Sequence, residues 1–251
     1  KAFESGERFG LDLTNVDRVL GVALGGGVET SPLQMAQAYA AFANEGLMPE
    51  AHFITRIENA SGQVIATHKN SQKRVIDKSV ADKMTSMMLG TFTNGTGISS
   101  SPDGYVMAGK TGTTETAFNP EYTSDQWVVG YTPDLVISHW LGFPTTDENH
   151  YLAGSTSNGA AYIFRSMAET ILPYTPESTF TVENAYELNG IAPRNSQNQA
   201  TDNGGTQSGD SITDIQGRAQ NLIDEAERAI SDAKIKEKAK TIWDTIVDLF
   251  Q

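Results

Sequence analysis

The stretch Tyr105–Phe143, "YVMAGKTGTTETAFNPEYTSDQWVVGYTPDLVISHWLGF", decides how this chain folds. It contains three runs with strand character, "YVMAGKTGTT", "DQWVVGYT" and "LVISHWLGF". Thr132-Pro133-Asp134 joins the last two, a short turn that predicts adjacent antiparallel strands. On an extended strand side chains alternate, so Thr111 and Thr113 are expected to present both hydroxyls on one face. Two converging hydroxyls grip a carboxylate. Lys110 adds positive potential and perturbs neighbouring ionisable groups. Gly112 has no Cβ, so an extended ligand can approach the strand edge and add to it as a further strand. The N–H of Thr113 is then a candidate donor to a developing oxyanion. A bare K-T-G arises by chance in about one chain in thirty of this length, so the tripeptide needs its context.

Helices lie on both sides of this stretch. Upstream, Gly25-Gly26-Gly27 interrupts the chain and Thr30-Ser31-Pro32 supplies an N-cap and first turn. Leu33, Ala36, Ala40 and Ala43 share one helical face, with Met35, Tyr39 and Phe42 beside it. Asn44-Glu45-Gly46 ends that helix. "HFITRIENASGQVIATHK" reads as a β-hairpin around Ala60-Ser61-Gly62. A second helix runs from about Asp77 to Asn94-Gly95, its methionines read as core filler. Downstream, "AAYIFRSMAETIL" is a covering helix ending at Pro173. Helices, a meander and a covering helix give an α+β fold, an antiparallel sheet covered by helices.

Beyond residue 173 the character changes. Residues 174–211 have no apolar periodicity and read as a disordered linker. Over 212–251, Ile215, Leu222, Ala226, Ala229, Ala233, Ile242, Ile246 and Leu249 recur at helical spacing, as in an amphipathic tail.

Composition narrows the function classes. The 251 residues are 38% hydrophobic and 20% charged, with a net charge of -13. Such a surface repels phosphate backbones, which argues against a nucleic-acid partner. There is no cysteine, hence no disulfide, thiolate metal site or cysteine nucleophile. His52, His68, His139 and His150 show no metal-ligand spacing, and His139 reads as a strand residue. Gly25 to Gly27 lacks the Lys-Ser/Thr of a phosphate loop. No metal and no cofactor is expected. Trp127 and Trp140 read as core residues of the sheet. No run is apolar enough to span a bilayer. The opening "KAFESGERFG", without an initiator methionine, is expected to be the start of a fragment or processed chain, with any anchor upstream.

The wider context carries a resemblance. "TNGTGISSSPDGYVMAGKTGTTETAFNPEYTSDQWVVGYTPDLVISHWLGF" closely resembles the third-motif region of penicillin-binding proteins. "LGGGVETSPLQMAQAYAAFANEG" is similar to the helix preceding it in the bifunctional, class A members. The resemblance covers about residues 8–172, within the part of the chain from 1 to 173. It implies the C-terminal part of a D,D-transpeptidase domain, incomplete at its N-terminal side. Such a domain cross-links peptidoglycan stem peptides and is acylated by β-lactams. It further implies an upstream glycosyltransferase domain, a membrane anchor, and a place on the extracytoplasmic face of the bacterial membrane. Lys110 would be catalytic, and Thr111, Gly112 and Thr113 would bind substrate. The family's other motifs, S-x-x-K with the nucleophile and S-x-N with a relay serine, should precede K-T-G. The formal matches, Ser231–Lys234 and Ser196–Asn198, follow it and have no suitable setting. The nucleophile is therefore expected in an upstream half of the same domain, and the chain alone is expected to be inactive. The alternative readings are a non-catalytic cell-wall-binding or assembly module and, more remotely, a serine β-lactamase.

Overall fold

The computed structural model describes residues 1–192. Along the chain come α1 (Ala2–Arg8), α2 (Pro32–Ala43), β1 (Leu47–Pro49), β2 (Arg56–Glu58), β3 (Val64–Thr67), β4 (Gln72–Arg74) and α3 (Lys78–Thr93). They are followed by β5 (Ala108–Glu115), β6 (Tyr122–Tyr131), β7 (Val136–Gly142), β8 (Leu152–Ala153), α4 (Ala160–Ile171) and α5 (Ala185–Leu188). Strands β5, β6 and β7 form an antiparallel meander, and β8 pairs with the start of β6. The α+β reading holds, with antiparallel sheets packed against helices.

The meander's turn works through Thr132. Its N–H donates to the Leu135 carbonyl, and its Oγ1 accepts from the Asp134 and Leu135 N–H groups. The register pairs Thr111 with Val128 and His139, and Gly109 with Gly130 and Ile137. Directly paired residues share a face, so this row and its alternates look toward α4. There Phe92, Met107, Val128, Ile137, Phe164 and Leu172 form one core cluster. A Cβ on Gly109 would lie 2.1 Å from the Val129 carbonyl and 2.7 Å from the Phe92 ring. A Cβ on Gly130 would meet Phe164 at 2.6 Å. This glycine pair makes the notch that the two phenylalanines fill.

The other face carries Ala108 and Tyr131, packed with Met88 and Leu89 of α3 and with Tyr39 and Phe42 of α2. Helix α2 starts as expected. Ser31 accepts from the Gln34 N–H, and the Gln34 side chain accepts from the Ser31 N–H, a reciprocal capping box. Tyr39, Phe42 and Ala43 pack on that core, but the most buried positions are two others. Ala38 and Ala41 are buried, whereas Leu33 is 46% exposed. The small alanines let α2 approach β6 and β7 closely, and Leu33, at the helix start, lies off that contact. Glu45 and Gly46 have φ of 53° and 88° and turn the chain out of α2. At Gly46 a Cβ would meet the Ile76 carbonyl at 2.2 Å.

Helix α3 has Asp77 and Asn94 at its ends, as its boundaries predicted. Met88 is core, whereas Met87 is 53% exposed. The hairpin β2–β3 forms as read. Its two legs are tied at the base by β1 pairing with β4, Leu47 opposite Arg74.

A further correction concerns residues 174–192, expected to open a disordered linker. They pack on the body. Asp134 accepts from both the N–H and Oγ of Ser178 at 2.7 Å, and the Phe180 ring meets Tyr131 edge-on. Phe180 and Val182 join the cluster around Tyr131, and Asn184 is buried, bonding Thr93 Oγ1. Single anchors set in polar sequence hold this segment, which periodicity does not register. Residues 193–251 lie outside the described part. With them go the rest of the expected linker, the tail helix, and the formal matches at Ser196–Asn198 and Ser231–Lys234.

Candidate active site

Lys110, Thr111, Gly112 and Thr113 are consecutive on β5, and no strand pairs with the outer edge of β5 among the described residues. Alternation places Thr111 and Thr113 on the α4 side, in register with Val128 and Gln126. Both hydroxyls are held. Thr111 Oγ1 lies 2.6 Å from Thr96 Oγ1, in the turn after α3. Thr113 Oγ1 lies 2.6 Å from Thr156 Oγ1, in the turn before α4. Thr156 also donates to the Gly112 carbonyl at 2.6 Å. Ser157 Oγ donates to the Thr96 carbonyl at 3.4 Å, so the two loops meet beside the strand.

Gln126 fixes the second loop. It is 1% exposed, donates to the Gly154 carbonyl and Thr123 Oγ1, and accepts from the Ala160 N–H at the start of α4. One buried amide therefore satisfies a helix terminus and sets the height of Thr156 against β5. Thr96 and Thr156 were not singled out from sequence. Their signal is the small, hydroxyl-rich character of "TNGTG" and "GSTSNG" at helix ends.

Lys110 lies on the opposite face, in register with Val129 and Ser138. Its side chain is exposed, and Nζ turns back to donate to the Thr111 carbonyl at 2.7 Å. The cation thus stays beside the strand although its Cβ points away from the two hydroxyls. Among the described residues no serine hydroxyl bonds to Nζ. Beyond it on that face, Trp127 and Trp140 pack at 6.3 Å between ring centroids, half-buried rather than fully in the core. Trp140 Nε1 donates to Asp125 at 2.9 Å. A Cβ on Gly112 would stand 3.2 Å from Trp127 Cβ, so this glycine makes room for the indole.

His139 is a strand residue, as read. Burial lowers its pKa, and its Nε2 is buried without a hydrogen-bond partner. His52 and His68 stack at 3.9 Å, but no group of three His, Asp or Glu side chains gathers as a metal site among the described residues. No described helix is long and apolar enough to cross a membrane.

Residues 4–169 match the family model "Penicillin binding protein transpeptidase domain". The whole chain is 81% identical over 251 residues to penicillin-binding protein 2a of Streptococcus pneumoniae, covering 34% of that protein. Penicillin-binding protein 1F of Bacillus subtilis is 40% identical over 151 residues, 59% of this chain and 20% of that one. The chain thus spans about a third or less of the length of these relatives. Among solved structures, the penicillin-binding protein PonA1 from Mycobacterium tuberculosis superposes with a TM-score of 0.59 at 28% identity. That match covers 71% of this chain and 50% of the other. The same protein in complex with penicillin V superposes at 0.57, with 27% identity and the same two coverages. A K-T-G strand gripped by two hydroxyl-bearing loops thus sits inside a sequence match that covers most of the described residues: the chain belongs to the penicillin-binding protein transpeptidase domain family.

Proposed function

We propose that this chain is the substrate-gripping part of a class A peptidoglycan D,D-transpeptidase, and that the nucleophilic serine comes from the upstream part of the same domain. The observation that carries this reading is the pair of same-face hydroxyls, Thr111 and Thr113, on a strand whose outer edge no other strand pairs among the described residues. An extended stem peptide adds along that edge. Thr111 and Thr113 take its terminal carboxylate, exchanging their present threonine partners for the ligand. Lys110 supplies positive potential and supports the proton relay, and the Thr113 N–H is half of the oxyanion hole. A β-lactam, with its own carboxylate, uses the same grip. That a β-lactam binds this kind of domain at all is supported by the structure of PonA1 in complex with penicillin V.

In the complete domain the serine Oγ attacks the penultimate D-Ala carbonyl. The terminal D-Ala amine leaves with the serine's proton, and an acceptor amine then attacks the ester and restores the serine. The parent would also carry a glycosyltransferase domain and an anchor, and would work on the extracytoplasmic face of the membrane.

Fluorescent penicillin tests the reading. The purified chain should take no covalent label. Combined with its upstream half it should label at a serine of that half, at least tenfold more slowly when Thr111 and Thr113 are both valine. Label mapped to any serine of this chain overturns the proposal. Failure to label in combination favours the non-catalytic wall-binding module.

A further inference from the structure

The hairpin β2–β3 combines exposed apolar side chains with a local excess of basic ones. Every residue of 51–74 is exposed except Ile57 and His68, which are half-buried. Phe53 is 86% exposed, Ile54 59%, Val64 46% and Ile65 62%. Residues 51–74 also hold four basic side chains and one acidic one, a local +3 in a chain of -13. Arg56 is paired with Glu58, and Arg74 donates to the Glu45 and Ile76 carbonyls. Lys69 and Lys73 have no ion-pair or hydrogen-bond partner among the described residues. The pairing skips Ile65, an irregularity between Ile57 and Glu58 that leaves it without a partner across the hairpin.

A two-stranded ribbon exposed on both faces is marginal in water and gains from a surface against it. Four large apolar side chains gain by leaving water only where an apolar phase receives them. The neighbouring cations gain where phosphate is dense. A phosphate polymer offers the second and not the first. The headgroup–acyl boundary of an anionic bilayer offers both.

We propose that the 51–74 ribbon is an interfacial membrane-binding element that seats Phe53, Ile54, Val64 and Ile65 among anionic lipid headgroups with Lys69 and Lys73 on the phosphates. It goes beyond the transpeptidase reading and does not rest on it.

Vesicle flotation of the 251-residue chain tests this, with phosphatidylglycerol–phosphatidylcholine vesicles compared with phosphatidylcholine alone. The chain is expected to float with the first, weakly with the second, and less as salt rises. Lys69→Gln/Lys73→Gln is expected to lower partitioning about thirtyfold, and Phe53→Ser/Ile65→Thr at least tenfold. Both variants should keep the near-ultraviolet circular dichroism of the parent chain. No flotation, equal flotation on both vesicles, or flotation that survives both variants overturns the proposal. Binding to soluble poly(glycerol phosphate) that Phe53→Ser/Ile65→Thr leaves unchanged, with no flotation, assigns the ribbon to a polyanion instead. Salt-sensitive self-association in sedimentation velocity, lost in the lysine variant, assigns it to a second copy. Either outcome also overturns it.

Discussion

Thr156 and Thr113 share a hydrogen bond of 2.6 Å between their hydroxyls, and the same Thr156 hydroxyl reaches the Gly112 carbonyl at 2.6 Å. One hydroxyl carries a single proton, so the geometry sets its direction. Thr156 donates to the Gly112 carbonyl, and Thr113 then donates to Thr156. The rotamer of Thr113 and the backbone of Gly112 are thereby fixed by one loop residue, which Gln126 positions from below. On the proposed reading, a substrate carboxylate at Thr113 would accept the hydrogen bond that Thr156 now accepts.

Replacing Thr156 by valine keeps its shape and removes both bonds. The Gly112 carbonyl loses its donor, and thermal stability is expected to fall by about 1 kcal/mol. In the reconstituted transpeptidase the rate constant of penicillin acylation is expected to drop by about tenfold, an effect of the same size on positioning. Stopped-flow acylation beside a melting curve separates the two. An unchanged acylation rate in a destabilised protein would leave Thr156 with a structural role only.

Two glycines on β5 make opposite demands. At Gly109 an added Cβ meets backbone, the Val129 carbonyl at 2.1 Å, which neither strand can relieve without losing the ladder. At Gly112 it meets the Trp127 Cβ at 3.2 Å, where a few tenths of an ångström suffice. Gly109→Ala is expected to cost about 3 kcal/mol or more and Gly112→Ala about 1 kcal/mol. Chemical denaturation of the two variants checks the order. Equal costs would mean that the sheet absorbs the clash by sliding.

Much of this was legible before the fold was known, and the reasons are local. The Thr132-Pro133-Asp134 turn, the alternation of the flanking runs and the Ser31-Pro32 cap each act within a few residues. Thr111 and Thr113 sharing a face follows from strand geometry alone. What escaped depends on distant partners. Strand β4 is "QKR", fully exposed, and exists because β1 pairs with it across the hairpin. Phe180 and Val182 show no period, yet Tyr131 and its neighbours supply a surface for them. The hydroxyls of Thr96 and Thr156 sit in turns, where sequence shows polarity but not direction. In the sequence Gly112 suggests room for a ligand, whereas in the fold an added Cβ there meets Trp127.

Tyr131 couples the meander to α3. It is fully buried, and its hydroxyl lies 2.8 Å from Thr85 Oγ1, also buried. Burial raises the Tyr131 pKa far above the ordinary tyrosine value, so the phenol stays protonated. Tyr131→Phe leaves the Thr85 hydroxyl unpartnered and is expected to cost about 1–2 kcal/mol. Tyr131→Phe/Thr85→Val removes both polar atoms and should be no less stable than Tyr131→Phe alone. A double-mutant cycle in urea measures the coupling. Strict additivity would show that the two hydroxyls do not depend on each other.

His139 gives the protein an acid-sensitive point. Burial lowers its pKa from the usual 6.5, and Nε2 has no acceptor to stabilise a proton. Above 6.5 the imidazole is neutral in both folded and unfolded chains and contributes no pH dependence. Below 6.5 the unfolded chain takes up a proton that the folded one refuses, so stability falls as pH falls. The loss continues until the folded-state pKa is passed. His139→Phe should flatten this part of the curve, lowering the stability difference between pH 7.5 and pH 5.0. Urea midpoints of both proteins at the two pH values provide the test. Parallel curves would show that another group carries the acid sensitivity.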